Sequence, residues 1–307
     1  MSSNAPSGSQ WEIRCGSQQV VVVEVGGGLR DYTVDGRHVL DGFPADRMAD
    51  GGRGQPLLPW PNRLADGQYT FNGQQLQVPI DEVGRNNAMH GLTRWLNWHV
   101  LAQSSNSVRV GHVLRPRSGY PFTLALEIDY TLDDDGLTVR TRAHNAGTTP
   151  LPFGAAQHPY FSVGTPLVDG VELQVPAREC LVFDDQRRLP TGSTRPVAAS
   201  PIDFSSPRLI GATVLDDCFC DLIREADGRA RVKLCDPATG RRLSVWLGER
   251  YHYVQVFTGD TLAPERRRQG LAIEPMTCPP NAFRTGTDLI VLDPEESVEL
   301  EWGVTPA

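Results

Sequence analysis

Alternation of apolar and polar residues is the feature that most constrains the fold of this 307-residue chain. Apolar residues occupy every second position from 122 to 132, and the pattern recurs over residues 298–304. Successive side chains of a β-strand point to opposite faces, so each stretch predicts a strand with one buried and one polar face. The valine-rich stretch 20–25 predicts instead a strand that is buried on both faces.

Turn residues between these stretches predict three hairpins. Asn72 and Gly73 supply the positive φ angles of a type I′ turn between strands at 69–71 and 76–80. Residues 236–240 join apolar runs at 232–234 and 243–247, and Asp293-Pro294 lies between runs at 290–292 and 297–304.

No long stretch shows the 3.6-residue period of a helix, and only residues 45–48 suggest a short helical turn. Many strands, frequent turns and almost no helix predict an all-β protein, a large antiparallel β-sandwich with few short helices. No change in composition marks a domain boundary. We therefore expect a flexible tail over residues 1–10 and a single domain over residues 11–307.

Charge and composition exclude several classes of partner. The formal net charge is −8, with 29 basic and 37 acidic residues, which argues against binding to nucleic acid or to an anionic membrane. We see no secretory signal and no apolar run of about 18 residues, the length a membrane span needs. The six cysteines contain no CxxC pair, so we expect reduced thiols and a cytoplasmic protein.

Two ionisable residues have sequence neighbours that are typical of a catalytic or binding site. Glu274 interrupts the apolar run 271–276, and a buried carboxylate must be paired or protonated. Partial burial would raise its pKa toward the range of a general base. His158 follows small residues and precedes Pro159 and two aromatic residues, a pattern that fits either the floor of a pocket or a packed core histidine.

Three further segments carry candidate ligand-binding groups. Arg63 ends the stiff loop 59–63, where it can bind paired oxygens of a ligand or simply the carbonyls of its own loop. His90 lies in a tight turn with apolar neighbours, a position that is often structural. Asp216 and Asp217 are adjacent, so in a strand only one of them can face a given side. The alternative is that both are turn-forming residues.

These five segments resemble, in the same order, the motifs of the aldose 1-epimerase (galactose mutarotase) family. The resemblance covers residues 53–304, nearly the whole chain. It implies a large twisted β-sandwich with an open sugar-binding cleft, with His158 as general acid and Glu274 as general base. It also implies that Asn62, Arg63, His90 and Asp216 bind the sugar, Asp216 being chosen over Asp217 because the family's aspartate lies three positions before a phenylalanine, here Phe219.

The implied reaction interconverts the α and β anomers of a free hexose by opening and reclosing its ring. No electrons are gained or lost, so neither a redox cofactor nor a metal is expected. The expected partner is a small-molecule sugar, with no nucleic acid and no membrane, and the chain is expected to be a monomer or a homodimer.

Departures from the galactose-acting members leave the sugar open. Gln157 stands where those have Asn, Asp217 where they often have His, and Pro275 where they often have Thr. One alternative is a 1-epimerase of a charged hexose, a hexose 6-phosphate or a sulfonated hexose, with cations from Arg94, Arg115 and Arg117. The other is a non-catalytic carbohydrate-binding protein on the same fold, which would predict loss of the acid–base pair.

Overall fold

The computed structural model describes residues 5–307, and strands account for most of its regular structure. The first nine strands are β1 (Gln10–Cys15), β2 (Gln18–Val23), β3 (Leu29–Val34), β4 (Arg37–His38), β5 (Pro56–Leu57), β6 (Arg63–Ala65), β7 (Gln68–Phe71), β8 (Gln74–Gln77) and β9 (Asn87–Met89). The next nine are β10 (His99–Gln103), β11 (Ser107–Leu114), β12 (Leu124–Asp133), β13 (Gly136–Asn145), β14 (Leu151–Phe153), β15 (Ala156–Gln157), β16 (Tyr160–Phe161), β17 (Glu172–Gln174) and β18 (Ala177–Phe183). The remaining strands are β19 (Pro190–Pro196), β20 (Arg208–Leu209), β21 (Asp216–Leu222), β22 (Ala230–Cys235), β23 (Arg242–Leu247), β24 (Tyr253–Phe257), β25 (Leu271–Met276), β26 (Ile290–Leu292) and β27 (Ser297–Pro306).

Two large antiparallel sheets form the body of the molecule. A nine-stranded sheet has the order β10-β11-β12-β13-β27-β23-β22-β17-β20. An eight-stranded sheet has the order β19-β18-β21-β24-β25-β15-β5, with β16 also paired to β25. Smaller units are the four-stranded sheet β1-β2-β3-β4 and the pairs β14-β26, β6-β9 and β7-β8. The predicted all-β antiparallel fold is therefore confirmed.

Alternation along the strands explains how the two sheets pack. In β12 every second residue is buried, as the sequence pattern predicted, and Ile128 and Tyr130 join the core. Val254 and Ile273 reach the same core cluster from the eight-stranded sheet. Burying such a side chain contributes about 1.5–3 kcal/mol, so this shared cluster holds the sheets face to face. The opposite face of β24 and β25 therefore lies outside this core.

Two of the three predicted hairpins are confirmed. β7 pairs with β8 across Asn72 and Gly73, whose φ angles are 48° and 76°, and β22 pairs with β23. The third is wrong: β26 pairs with β14, whereas β27 lies between β13 and β23 in the nine-stranded sheet. Asp293-Pro294 therefore connects strands of two different sheets rather than turning one strand back on the other.

The helical prediction also needs correction. Residues 45–48 form a surface turn in which Arg47 N–H donates to the Pro44 carbonyl, a single bond that is too little to nucleate a helix. The one α-helix of the described residues is α1 (Ala282–Thr285), and 3₁₀-helical turns cover Val83–Arg85 and Val168–Gly170.

The N-terminal boundary lies earlier than residue 11. Residues 1–4 of the predicted tail lie outside the described residues, but Ser7 is buried and its carbonyl accepts a hydrogen bond from Val25 N–H. Gln10 is already the first residue of β1. Ser7 to Gln10 thus belongs to the folded part of the chain.

Candidate active site

Three adjacent strands of the eight-stranded sheet present polar side chains on the face turned away from the core. Gln255 on β24 is the register partner of Glu274 on β25, and Asp216 begins β21, which pairs with the other edge of β24. Their neighbours Val254 and Ile273 point into the core. Because side chains alternate along a strand, burying the valines and isoleucines there forces the polar residues outward together.

His158 reaches this face from a break between two short strands. β15 and β16 both pair with β25, and His158-Pro159 lies between them. The His158 N–H donates to the Gln55 carbonyl at 3.0 Å, and its own carbonyl accepts from Gly54 N–H at 2.8 Å. These two hydrogen bonds fix the backbone of His158. They are compatible with the extended conformation that a residue before proline favours.

The imidazole of His158 and the carboxyl of Glu274 are in direct contact. Nε2 lies 3.3 Å from Oε1, and the two residues are only 5% and 2% exposed. Nδ1 of His158 and Oε2 of Glu274 are buried and make no hydrogen bond with the described residues. The pair therefore has one free polar atom on each partner, in addition to the contact between them.

Burial shifts the two proton affinities in opposite directions. Desolvation raises the pKa of Glu274 well above its usual value, and the nearby Asp216 carboxylate adds to this effect. Desolvation lowers the pKa of His158, and the charge of Arg53 lowers it further. Both shifts favour the uncharged form of each group, in which the one proton shared by the pair lies on Glu274 beside a neutral imidazole.

A second wall of the site comes from β6, β9 and the turns beside them. His90 N–H donates to the Asn62 carbonyl at 2.8 Å, and Asn62 Oδ1 accepts from Arg63 N–H at 2.9 Å. Asn62 and His90 have φ angles of 52° and 63°, a strained region that both residue types tolerate better than most. This arrangement brings the His90 ring to 5.5 Å from the His158 ring, edge to face.

Arg63 is held rigidly in this wall. Its Nε and Nη2 donate to the two oxygens of Glu82 at 2.9 and 3.0 Å, a bidentate pair. Below it, Asn281 accepts from Ala65 N–H and donates to the Arg63 carbonyl, which fastens β6 to the start of α1. The guanidinium is thus oriented before any ligand arrives.

The choice between the two adjacent aspartates follows from strand alternation. Asp216 faces the site, where Gln255 Nε2 donates to its Oδ1 at 2.7 Å and Arg188 lies 3.2 Å from its Oδ2. Asp217 faces the other side, where it pairs with Arg195 at 3.2 Å. The structure therefore brings Asp216, not Asp217, beside Glu274.

All six residues singled out from the sequence line one open cleft of about 260 Å³. They are Asn62, Arg63, His90, His158, Asp216 and Glu274. Of the three arginines considered as extra cations, Arg94 lines the same cleft, but Arg115 and Arg117 do not. Burial lowers the pKa of Arg94, and its guanidinium pairs with Asp81 at 3.2 Å.

Several residues that line the cleft were not predicted from the sequence. Gln255 interrupts the apolar run Tyr253–Phe257, a weaker signal than that of Glu274 because glutamine is uncharged, and the pairing of β24 with β25 places it beside Glu274. Gly52, Trp95 and Tyr160 also line the cleft. Trp95 is 56% exposed, and a large exposed aromatic side chain is uncommon, but this exposure is visible only in the structure.

Comparison with known protein families gives a match over nearly the whole chain. Residues 9–305 match the family model described as aldose 1-epimerase. The chain belongs to the aldose 1-epimerase family. The family predicted from five ordered motifs is thereby confirmed.

Several known proteins resemble this member of the aldose 1-epimerase family to different degrees. It is 35% identical to Uncharacterized protein YihR of Escherichia coli strain K12, over 94% of this chain and 90% of that protein. It is 29% identical to galactose mutarotase of Rattus norvegicus, over 66% of this chain and 60% of that protein. The crystal structure of galactose 1-epimerase from Lactobacillus acidophilus NCFM matches with a TM-score of 0.81 at 20% identity, covering 97% of this chain and 94% of that one, which shows a shared fold.

Residues 5–307 contain neither a cluster of metal ligands nor a helix that could span a membrane. No group of three or more His, Cys, Asp or Glu side chains is placed to hold a metal ion. Across the same residues, every helix is too short or too polar to cross a membrane.

Proposed function

We propose that this protein is an enzyme, an aldose 1-epimerase that interconverts the α and β anomers of a free hexose. The observation that carries the proposal is the buried contact between His158 and Glu274, 3.3 Å apart on the floor of an open cleft. Anomer exchange needs one group that takes a proton and another that gives one, each able to reverse its role.

The shared proton supplies both roles. Its transfer from Glu274 to His158 produces a carboxylate base and an imidazolium acid. Glu274 then removes the proton of the C1 hydroxyl while His158 protonates the ring oxygen, and the C1–O5 bond breaks to give the open-chain aldehyde. Rotation about C1–C2 and closure with the two roles reversed give the other anomer, and the pair again holds one proton.

The surrounding polar groups suit a sugar that must stay fixed while its ring opens. Arg63 and Asp216 are both held by neighbouring side chains, Glu82 and Gln255, so they can bind hydroxyl groups at little further cost in side-chain entropy. His90 is buried, and desolvation lowers its pKa well below the usual value. A neutral imidazole can accept from one hydroxyl and donate to another.

Polarimetry of freshly dissolved α-glucose and α-galactose tests the proposal. The wild-type protein should accelerate the approach to anomeric equilibrium, and His158→Asn and Glu274→Gln should each lower kcat by roughly 10²–10⁴-fold. Asp217→Asn, on the opposite face of β21, is the matched control and should retain the wild-type rate. Full activity in both pair variants would refute the assignment.

A charged hexose is the second candidate substrate, and Arg94 is the observation that favours it. This arginine is 13% exposed and lines the cleft, where a phosphate or sulfonate on the sugar would meet a desolvated cation. We expect Arg94→Leu to weaken kcat/KM for a hexose 6-phosphate or a 6-sulfonated hexose far more than for glucose. Equal effects on neutral and charged sugars would exclude this candidate.

A further inference from the structure

The segment 49–54, here called the glycine loop, surrounds His158. Its Gly54 N–H donates to the His158 carbonyl, and Gly52 lies against the ring, where an added Cβ would be 2.7 Å from Cδ2. Ala49, Gly51 and Gly52 also line the cleft itself. The placement of this loop therefore decides where the His158 ring can lie.

Arg53 fixes the glycine loop from the inside. Its side chain is 1% exposed, and Cζ lies 4.1 Å from the centroid of the Tyr160 ring. Tyr160 in turn stacks with His158, with ring centroids 5.0 Å apart and an interplanar angle of 14°. A cation, a phenol ring and the imidazole thus form one continuous packed series, an arrangement that a planar guanidinium favours.

A ring of four charges holds Arg53 in place. Its Nη1 lies 2.7 Å from Asp41 Oδ2, and its Nε lies 3.1 Å from Asp50 Oδ1. Arg266 closes the ring, 3.4 Å from Asp41 Oδ1 and 3.8 Å from Asp50 Oδ2. Two cations and two anions balance, which makes a buried guanidinium tolerable and leaves it few alternative positions.

We propose that Arg53 is a positioning residue that fixes the ring plane of His158 through Tyr160. Arg53 touches Tyr160 and the two aspartates, so it acts through His158 rather than on the sugar. This role rests on the proposed function, because it deepens the part that His158 plays there.

The electrostatic effect of Arg53 on His158 depends on the other charges around the ring. Burial is the largest cause of its lowered pKa, and the Arg53 cation is the next. The ionisable groups that face or flank the ring are Arg53, Tyr160, His90, Arg94 and Glu274, with Asp41 and Asp50 behind Arg53. Loss of Arg53 leaves burial and Arg94 in force, so we expect the proton affinity of His158 to rise without returning to that of a free histidine.

The test uses Arg53→Met and Arg53→Lys, with Arg208→Met as the matched control. Arg208 is also packed on an aromatic ring, 3.7 Å from the centroid of Phe204, and donates to the carbonyls of Pro201 and Asp203. In ¹³C-histidine-labelled protein, with His158→Asn to assign its signal, Arg53→Met should move the His158 titration midpoint to higher pH. Arg208→Met should leave that midpoint at the wild-type value.

Kinetic measurements distinguish the effect of Arg53 on the orientation of the His158 ring from the effect of its charge. Arg53→Lys keeps the cation but loses the planar stack on Tyr160, so we expect a wild-type midpoint with roughly 10-fold lower kcat and little change in KM. An unchanged His158 midpoint in folded Arg53→Met would overturn the proposal, and so would wild-type kcat in Arg53→Lys, the variant to use if the Met variant does not fold. Because the titration is read without any sugar, a shifted midpoint in a protein that does not interconvert anomers would support the role of Arg53 while refuting the proposed function.

Discussion

Gly52 lies against the imidazole of His158, so closely that a Cβ at Gly52 would stand 2.7 Å from Cδ2 of the ring. The φ angle of Gly52 is +77°, a conformation that other residues rarely adopt. The floor of the cleft is therefore built to tolerate no side chain at this position.

Substitution of Gly52 by Ala should displace the His158 ring and lower kcat at least about 10-fold, because general acid–base groups lose much of their effect when misplaced. The matched control is Gly240→Ala, at φ +76° with no atom within 4 Å of the added Cβ. Both changes cost about 1–2 kcal/mol of backbone strain. If the two variants lost activity equally in polarimetry, contact with His158 would not be the cause.

The two adjacent aspartates give a second paired prediction. Asp216→Asn should lower kcat/KM roughly 10–100-fold, because hydrogen bonds to a charged group are worth about 1.5–3 kcal/mol. Asp217→Asn should change kcat/KM by less than about threefold, since it faces Arg195 on the other side of β21. A larger loss in the Asp217 variant would mean that the strand presents the opposite face to the sugar.

Thermal unfolding as a function of pH should reveal the raised pKa of Glu274. In the unfolded chain the carboxyl loses its proton near pH 4.5, whereas the folded group keeps it to higher pH. Its contribution to stability is therefore complete below pH 4.5 and is lost as the pH rises through the raised pKa. Glutamine cannot ionise, so Glu274→Gln should have a higher Tm than the wild type at pH 8, by about 2–4 °C for each kcal/mol that ionisation costs the folded wild type.

The exposed Glu265→Gln is the control for this measurement. It should leave the dependence of Tm on pH unchanged. A difference between Glu274→Gln and wild type that stayed constant from pH 4 to pH 9 would contradict the raised pKa.

The pH dependence of kcat/KM should be that of a His158–Glu274 pair that is active when it holds one proton. Adding a second proton is opposed by the lowered pKa of His158, so the acid limb should lie below the ordinary histidine value of 6.5. Removing the shared proton is opposed by the raised pKa of Glu274, so the alkaline limb should lie well above 4.5. We expect a plateau across neutral pH in buffer-corrected polarimetry, and an acid limb at or above pH 6.5 would be inconsistent with it.

The strands were predictable because they bury one face. The alternation in β12 and the Asn72-Gly73 turn each specify a local structure that needs little help from the rest of the chain. Pairing between distant strands is different, because it depends on which sheets meet. This is why Asp293-Pro294 was misread as a hairpin turn, although both strands beside it exist.

The same distinction applies to the cleft. Glu274 could be found because a carboxylate in an apolar run is anomalous by itself. Gln255 also interrupts an apolar run, but glutamine carries no charge, so its burial is less anomalous. Arg53 could not be found, since an arginine among glycines is ordinary on a surface. Their positions become informative only when β24 joins β25 and the glycine loop folds onto His158.

The break between β15 and β16 has a consequence for how this cleft can change over generations. Ala156 and Tyr160 both pair with β25, so the residues between them must span a fixed length to bring His158 opposite Glu274. Insertion or deletion of one residue there would turn the histidine to the other face of the sheet. Descendants of this protein can therefore change the side chains that line the cleft, while the number of residues between those two pairings must stay the same.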